Sequence, residues 1–164
     1  MQEKNKLGDR GKMQWRSCST AETEELGRRL GRLLRGGEVI AMFGGLGMGK
    51  TAFVRGLARG LQVPEGEVSS PTFALVHSYE GRLTLHHFDM YRVDGWDDLY
   101  STGFFDYLDS NAVLAVEWSE NIEAALPENA LYLEFARGDS DGERLLTLSG
   151  PAQVLADLQA RLEK

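Results

Sequence analysis

Val39-Ile40-Ala41-Met42-Phe43-Gly44-Gly45-Leu46-Gly47-Met48-Gly49-Lys50-Thr51 is the stretch that decides the fold. It opens on five apolar residues in unbroken succession, which is what a strand buried on both faces of a parallel sheet requires. The glycines follow at once. From Lys50 onward Phe53, Val54, Leu57, Ala58 and Leu61 recur with a 3.6-residue period, so the loop opens directly into an amphipathic helix. Gly44 to Thr51 also satisfies Gly-x-x-x-x-Gly-Lys-[Ser/Thr], in which glycines let successive backbone N–H groups curl around an anionic phosphate. Lys50 would reach the β- and γ-phosphates of a nucleotide, Thr51 would offer its hydroxyl to Mg²⁺, and the helix N-terminus adds partial positive charge. Gly44, Gly45, Leu46, Gly47, Met48, Gly49, Lys50 and Thr51 are therefore the candidate nucleotide-binding residues. Strand, loop and helix in this order predict an α/β fold of the P-loop NTPase type, a three-layer sandwich around a mainly parallel central sheet.

Outward from the loop, the chain reads as one domain over residues 15–164, behind a polar tail at residues 1–14 expected to be flexible. The tail carries Lys4, Lys6, Arg10 and Lys12 but no apolar stretch, so it is not expected to act as a secretory signal. No apolar run reaches the ~20 residues of a membrane span, and Cys18 stands alone, so a soluble cytoplasmic protein is expected. The net charge of -7 opposes a free-standing nucleic-acid binder, because phosphate contacts need clustered Lys and Arg.

Ser19-Thr20-Ala21-Glu22 reads as a capping box, followed by Leu26, Leu30, Leu33 and Leu34 at helical spacing until Gly36-Gly37. Phe73 to Tyr79 and Leu83 to Phe88 read as a hairpin around Glu80-Gly81, beyond a loop that holds Ser70, Pro71 and Thr72. A helical stretch is expected between Trp96 and Leu108, strands at Val113 to Val116, Leu131 to Phe135 and Leu145 to Leu148, and a closing helix with Pro151 in its first turn. Arg28, Arg32 and Arg35 share one helical face, and Arg55 and Arg59 another.

A Mg²⁺ site needs a carboxylate near the phosphates, usually at the carboxyl end of a neighbouring strand. Asp89 ends one β-type run and Glu117 another, the latter after four apolar residues in the cleaner Walker-B-like pattern. Sequence leaves open how the two divide metal coordination, direct or through water, and orientation of the attacking water. His77, His86 and His87 receive no role.

Beyond the loop, Ser70-Pro71-Thr72-Phe73, His87-Phe88-Asp89-Met90-Tyr91-Arg92 and Glu117-Trp118-Ser119-Glu120 follow in an order and spacing that resemble the TsaE family, also called YjeE. Gly45 and Met48 depart from the family's usual Gly-Asp-Leu-Gly-Ala-Gly-Lys-Thr at variable positions. The resemblance implies an ATPase with ATP and Mg²⁺ as cofactors, needed for threonylcarbamoyladenosine formation on tRNAs that read ANN codons. Its partners would be TsaB and TsaD, with tRNA met through that complex and TsaD performing the transfer. Lys50, Asp89 and Glu117 would be the catalytic residues, Thr51 and Glu117 the Mg²⁺ ligands, and Asp89 an acid beside the metal or its water. Trp118 would join the same site, Ser70 and Thr72 would form a switch-like loop, and Ser19 and Arg144 would lie on the adenine side.

Three other readings share the loop. A small kinase would need an acceptor pocket and an Arg-bearing lid, which is not evident; a GTPase would need an Asn-Lys-x-Asp element, which is absent. A non-hydrolysing nucleotide-dependent binding module differs from the ATPase only in turnover.

Overall fold

A computed structural model describes residues 10–66, 68–69, 71, 75–108 and 110–163. The strands are β1 (Arg10–Ser17), β2 (Val39–Phe43), β3 (Val76–Tyr79), β4 (Leu85–Asp89), β5 (Val113–Glu117), β6 (Leu131–Arg137) and β7 (Arg144–Pro151). The helices are α1 (Thr20–Leu33), α2 (Lys50–Gly60), α3 (Gly95–Ser101), α4 (Phe104–Leu108) and α5 (Ala152–Leu162), with single 3₁₀ turns at Ser119–Asn121 and Glu123–Ala125. One seven-stranded sheet runs in the order β1-β7-β6-β2-β5-β4-β3. Its middle, β6-β2-β5-β4, is parallel, and antiparallel strands complete both edges.

The expected α/β architecture is present, and its layers follow from strand pleating. Successive side chains point to opposite faces, so Ile40, Met42, Leu85, Val113 and Ala115 join α1, α2 and α5 in one core. Val39, Phe88, Leu114 and Val116 join α3 and α4 in the other. Val39 to Met42 are at most 5% exposed, which explains why β2 is apolar throughout rather than alternating.

The capping box forms with one shift. Ser19 Oγ accepts from Glu22 N–H at 3.1 Å, while Glu22 reaches back to the N–H of Cys18 instead of Ser19, at 2.6 Å. Helices α1 and α2 meet through glycines: a Cβ on Gly56 would lie 1.8 Å from the Glu24 carbonyl oxygen, and one on Gly27 2.2 Å from that of Phe53. Glu24 then ties the pair by accepting from Arg55 at 2.8 Å and Arg59 at 3.1 Å, so those two arginines meet an acid within the chain.

Three expectations need correction. Residues 10–14, assigned to the flexible tail, belong to β1, which pairs with β7 from Arg10↔Pro151 to Ser17↔Arg144. Its outward positions Lys12, Gln14 and Arg16 are exposed while Met13 and Trp15 pack on the core, so a short amphipathic edge strand resembles a polar tail in sequence. The helix expected from Trp96 to Leu108 is broken, because Gly103 takes φ 76°, a left-handed turn that separates α3 from α4. Pro151 caps α5 with extended backbone, φ -53° and ψ 133°, rather than entering its first turn. Among the described residues no helix is long and apolar enough to cross a membrane.

Candidate functional site

The loop joining β2 to α2 makes its bends at glycines. Gly44, Gly47 and Gly49 have φ of 138°, 75° and 103°, and Gly44 has a second reason to lack a side chain, since a Cβ there would sit 2.9 Å from the Phe135 carbonyl oxygen. The loop borders a cleft of about 560 Å³ lined by Leu46 to Ala52 on one side and by Asp89, Tyr91, Glu117 and Trp118 on the other. Gly44 and Gly45 stand outside this lining, Gly44 acting through its backbone.

The second wall follows from register. Asp89 and Glu117 are paired neighbours at the ends of the parallel strands β4 and β5. Alternation puts them on the same face as Leu85, Val113 and Ala115, the face that α2 covers. Both are 5% exposed. Thr51 Oγ1, in the first turn of α2, lies 3.5 Å from each Glu117 carboxylate oxygen, at the outer limit of a hydrogen bond. Asp89 Oδ1 accepts from Tyr91 N–H at 2.9 Å, which fixes its orientation. Three hard oxygen donors thus face one another beside the phosphate loop, the ligand chemistry that Mg²⁺ prefers. No group of three or more His, Cys, Asp or Glu able to hold a metal occurs among the described residues, so a cation here would draw its remaining ligands from phosphate and water.

Lys50 is 5% exposed. Its ammonium donates to the Gly44 carbonyl at 2.7 Å and lies 3.9 Å from the centre of the Trp118 ring. Burial lowers its pKa, partly opposed by the carboxylates of Glu120, Glu117 and Asp89. Trp118 reaches over the lysine because its backbone is left-handed, φ 59°, at a cost of about 1–2 kcal/mol for a residue with a side chain. Tyr91 braces the indole at a ring distance of 4.9 Å.

Sequence reasoning missed His87. Fully buried, it donates from Nε2 to Glu117 Oε2 at 2.5 Å, and its Nδ1 is buried without a partner. A carboxylate accepts only, so the proton sits on Nε2. The available signal was the two-residue period of β4, which places His87 on the same face as Asp89.

Ser19 and Arg144 line a second cavity of about 220 Å³ with Gly47, Met48 and Gly49, on the loop's other flank. Glu143 is buried, ion-paired with Arg16 Nε at 2.8 Å and accepting from the N–H and hydroxyl of Ser140 through its other oxygen, so it anchors the hairpin that carries Arg144. The switch-like pair Ser70 and Thr72 lies outside the described residues.

Comparison with known proteins identifies the family. The family model described as Threonylcarbamoyl adenosine biosynthesis protein TsaE matches residues 17–146. A Treponema pallidum (strain Nichols) protein, tRNA threonylcarbamoyladenosine biosynthesis protein TsaE, is 40% identical over 133 residues, covering 81% of this chain and 97% of that one. The Bacillus subtilis (strain 168) protein of the same name is 34% identical over 140 residues, with 84% and 87% covered. The crystal structure of Bacillus subtilis YdiB superposes with a TM-score of 0.76 at 29% identity, covering 94% of this chain and 96% of that one. The family match runs from the last residue of β1 into β7, through every element that builds the cleft, and the chain belongs to the TsaE family.

Proposed function

We propose that the chain is an ATPase of threonylcarbamoyladenosine biosynthesis that binds Mg-ATP at Gly44 to Thr51 and resets a TsaB–TsaD complex in the cytoplasm between rounds of modification of tRNAs reading ANN codons. The observation that carries the reading is the opposition of Lys50 and Thr51 to Asp89 and Glu117 across one cleft. The tRNA assignment rests on family membership.

In this mechanism the loop N–H groups and Lys50 hold the phosphates. Lys50 already has its cation aimed along the loop by the Gly44 carbonyl and the Trp118 ring, so little reorganisation accompanies binding. Thr51 and Glu117 would hold Mg²⁺, with Asp89 beside them, and the ion would supply charge neutralisation on the phosphates. His87 is a positioning residue that orients Glu117, as outer partners of metal ligands do. Asp89, whose carboxylate is oriented by the Tyr91 N–H, would be the acid beside a metal-bound or attacking water. By family resemblance Ser19 and Arg144 would flank the base of the nucleotide, and Ser70 and Thr72 would sense its γ-phosphate.

The test is tRNA modification reconstituted from TsaB, TsaD, the threonylcarbamoyl donor and tRNA, with this chain as wild type, Lys50→Ala or Glu117→Ala. Both variants are expected to lose multiple-turnover support. Full turnover with either variant overturns the assigned mechanism.

A further inference from the structure

Between Arg92 and Arg137 the chain holds ten Asp and Glu residues and no Lys or Arg. That stretch supplies α3, α4 and the two 3₁₀ turns on one side of the sheet, while its Glu117 faces the other side, toward α2. On this acidic side three aromatic rings are gathered at the surface. Trp96 stacks on Phe105 at 6.4 Å and 12°, Tyr100 lies 5.1 Å from Phe105, and Trp96 and Tyr100 are 52% and 65% exposed. Their mutual packing holds them in place, so covering them costs little side-chain entropy. Exposed rings of this kind, clustered and rimmed by charge, mark contact surfaces rather than chance exposure.

Beside Trp96 runs a groove of about 230 Å³ between α3 and the 3₁₀ turns, floored by Leu99, Ile122 and Ala125 and edged by Glu120 and Glu123. The groove is continuous with the nucleotide site through one side chain, because Glu120 also accepts from the Gly44 N–H of the phosphate loop at 3.4 Å. An apolar floor, an aromatic wall and two carboxylate edges suit the stem and head of an arginine or lysine, whose cation is attracted to both the indole face and the acids. The same charge repels a polyanion, which excludes tRNA as the occupant.

We propose that this face docks a partner protein whose contact surface is apolar and basic, the Trp96–Tyr100–Phe105 cluster taking its apolar part and the Glu120–Glu123 groove taking an arginine or lysine. The proposal rests on the reading of this chain as one component of a protein assembly. It names the surface and the chemistry of the contact.

The test is binding to immobilised TsaB–TsaD, followed by surface plasmon resonance, for wild type, the Trp96→Ala/Tyr100→Ala double variant and Glu123→Lys. Circular dichroism and ATP titration check that each variant is folded and retains its nucleotide site. The double variant is expected to bind roughly 30-fold more weakly, and Glu123→Lys about tenfold more weakly at low salt with the gap closing at high salt. Variants that bind within twofold of wild type overturn the docking face and leave the TsaB–TsaD reading standing. A wild-type chain that fails to bind overturns both. Binding of a tRNA transcript by wild type that the double variant loses would show that the face serves nucleic acid, and overturns the proposal.

Discussion

Replacing Lys50 by Met separates nucleotide binding from folding. The Lys50 ammonium is 5% exposed, bonded to the Gly44 carbonyl at 2.7 Å and seated 3.9 Å from the Trp118 ring centre. Methionine has a similar length and fills the same space without charge. Removing one member of a desolvated charge pair with phosphate costs about 2–5 kcal/mol, and at ~1.4 kcal/mol per factor of ten the midpoint is a loss of roughly 300-fold in ATP affinity. Folding responds differently. The lost hydrogen bond from a cation is worth about 1.5–3 kcal/mol and the lost cation–π contact up to ~2. Against these stands the relief of several kcal/mol of desolvation that burial of an ammonium imposes. The opposing effects leave stability within about 1 kcal/mol of wild type, a Tm change of no more than ~4 °C for a chain of this size. Isothermal titration with ATP and Mg²⁺ measures the first quantity and calorimetric melting the second. An ATP affinity within threefold of wild type, or a Tm loss beyond 10 °C, would refute the assignment of Lys50 as a phosphate-binding group rather than a structural one.

Because burial lowers the Lys50 pKa below 10.5, the unfolded chain binds more protons than the folded one between the two values, and stability from this group rises with pH across that window. The stability of Lys50→Met relative to wild type should therefore be greatest below the lowered pKa and decline as pH approaches 10.5, in denaturant titrations of both proteins; an unchanging difference would contradict the burial argument. His87→Ala opens a cavity and strips Glu117 of its donor, so a loss of about 3 kcal/mol is expected, together with a 10–100-fold weaker Mg²⁺ dependence of nucleotide binding. His87→Gln, which keeps a donor, should recover part of the metal effect, and equal behaviour of the two variants would make His87 a packing residue only. Gly56→Ala gains up to ~1 kcal/mol of helix propensity but forces a Cβ to within 1.8 Å of the Glu24 carbonyl oxygen. Overpacking against backbone should prevail, leaving a net loss of about 2 kcal/mol and a Tm roughly 4–8 °C lower; a Tm at or above wild type would mean that α1 and α2 separate freely.

The phosphate loop was legible in sequence because its chemistry demands particular residues at fixed spacing, and the acids at the ends of β4 and β5 were legible because strand ends are where ligands of such sheets gather. That Asp89 and Glu117 are register neighbours was not, since strand order depends on crossovers that no local pattern encodes. The glycines Gly27 and Gly56 look like ordinary helix weakeners until the partner helix is known, and their role is close approach. His87 was passed over because the two-residue period identifies a shared face without saying which face α2 covers. Strand β1 escaped notice because alternate Lys, Gln and Arg on a sheet edge have the composition of a solvated tail. Ser19 was read as a helix cap, which it is, and only the family resemblance, not the residue pattern, carried it toward the nucleotide; in the fold it lines the cavity on the loop's far flank.

Steady-state ATP hydrolysis by the purified chain, with Mg²⁺ or with chelator and with TsaB and TsaD added singly and together, tests the central claim most directly. The account predicts slow Mg²⁺-dependent hydrolysis by the chain alone, a clear rise when both partners are present, and loss of both activities in Glu117→Ala. Hydrolysis that is indifferent to Mg²⁺, or unchanged by the two partners together, would contradict it.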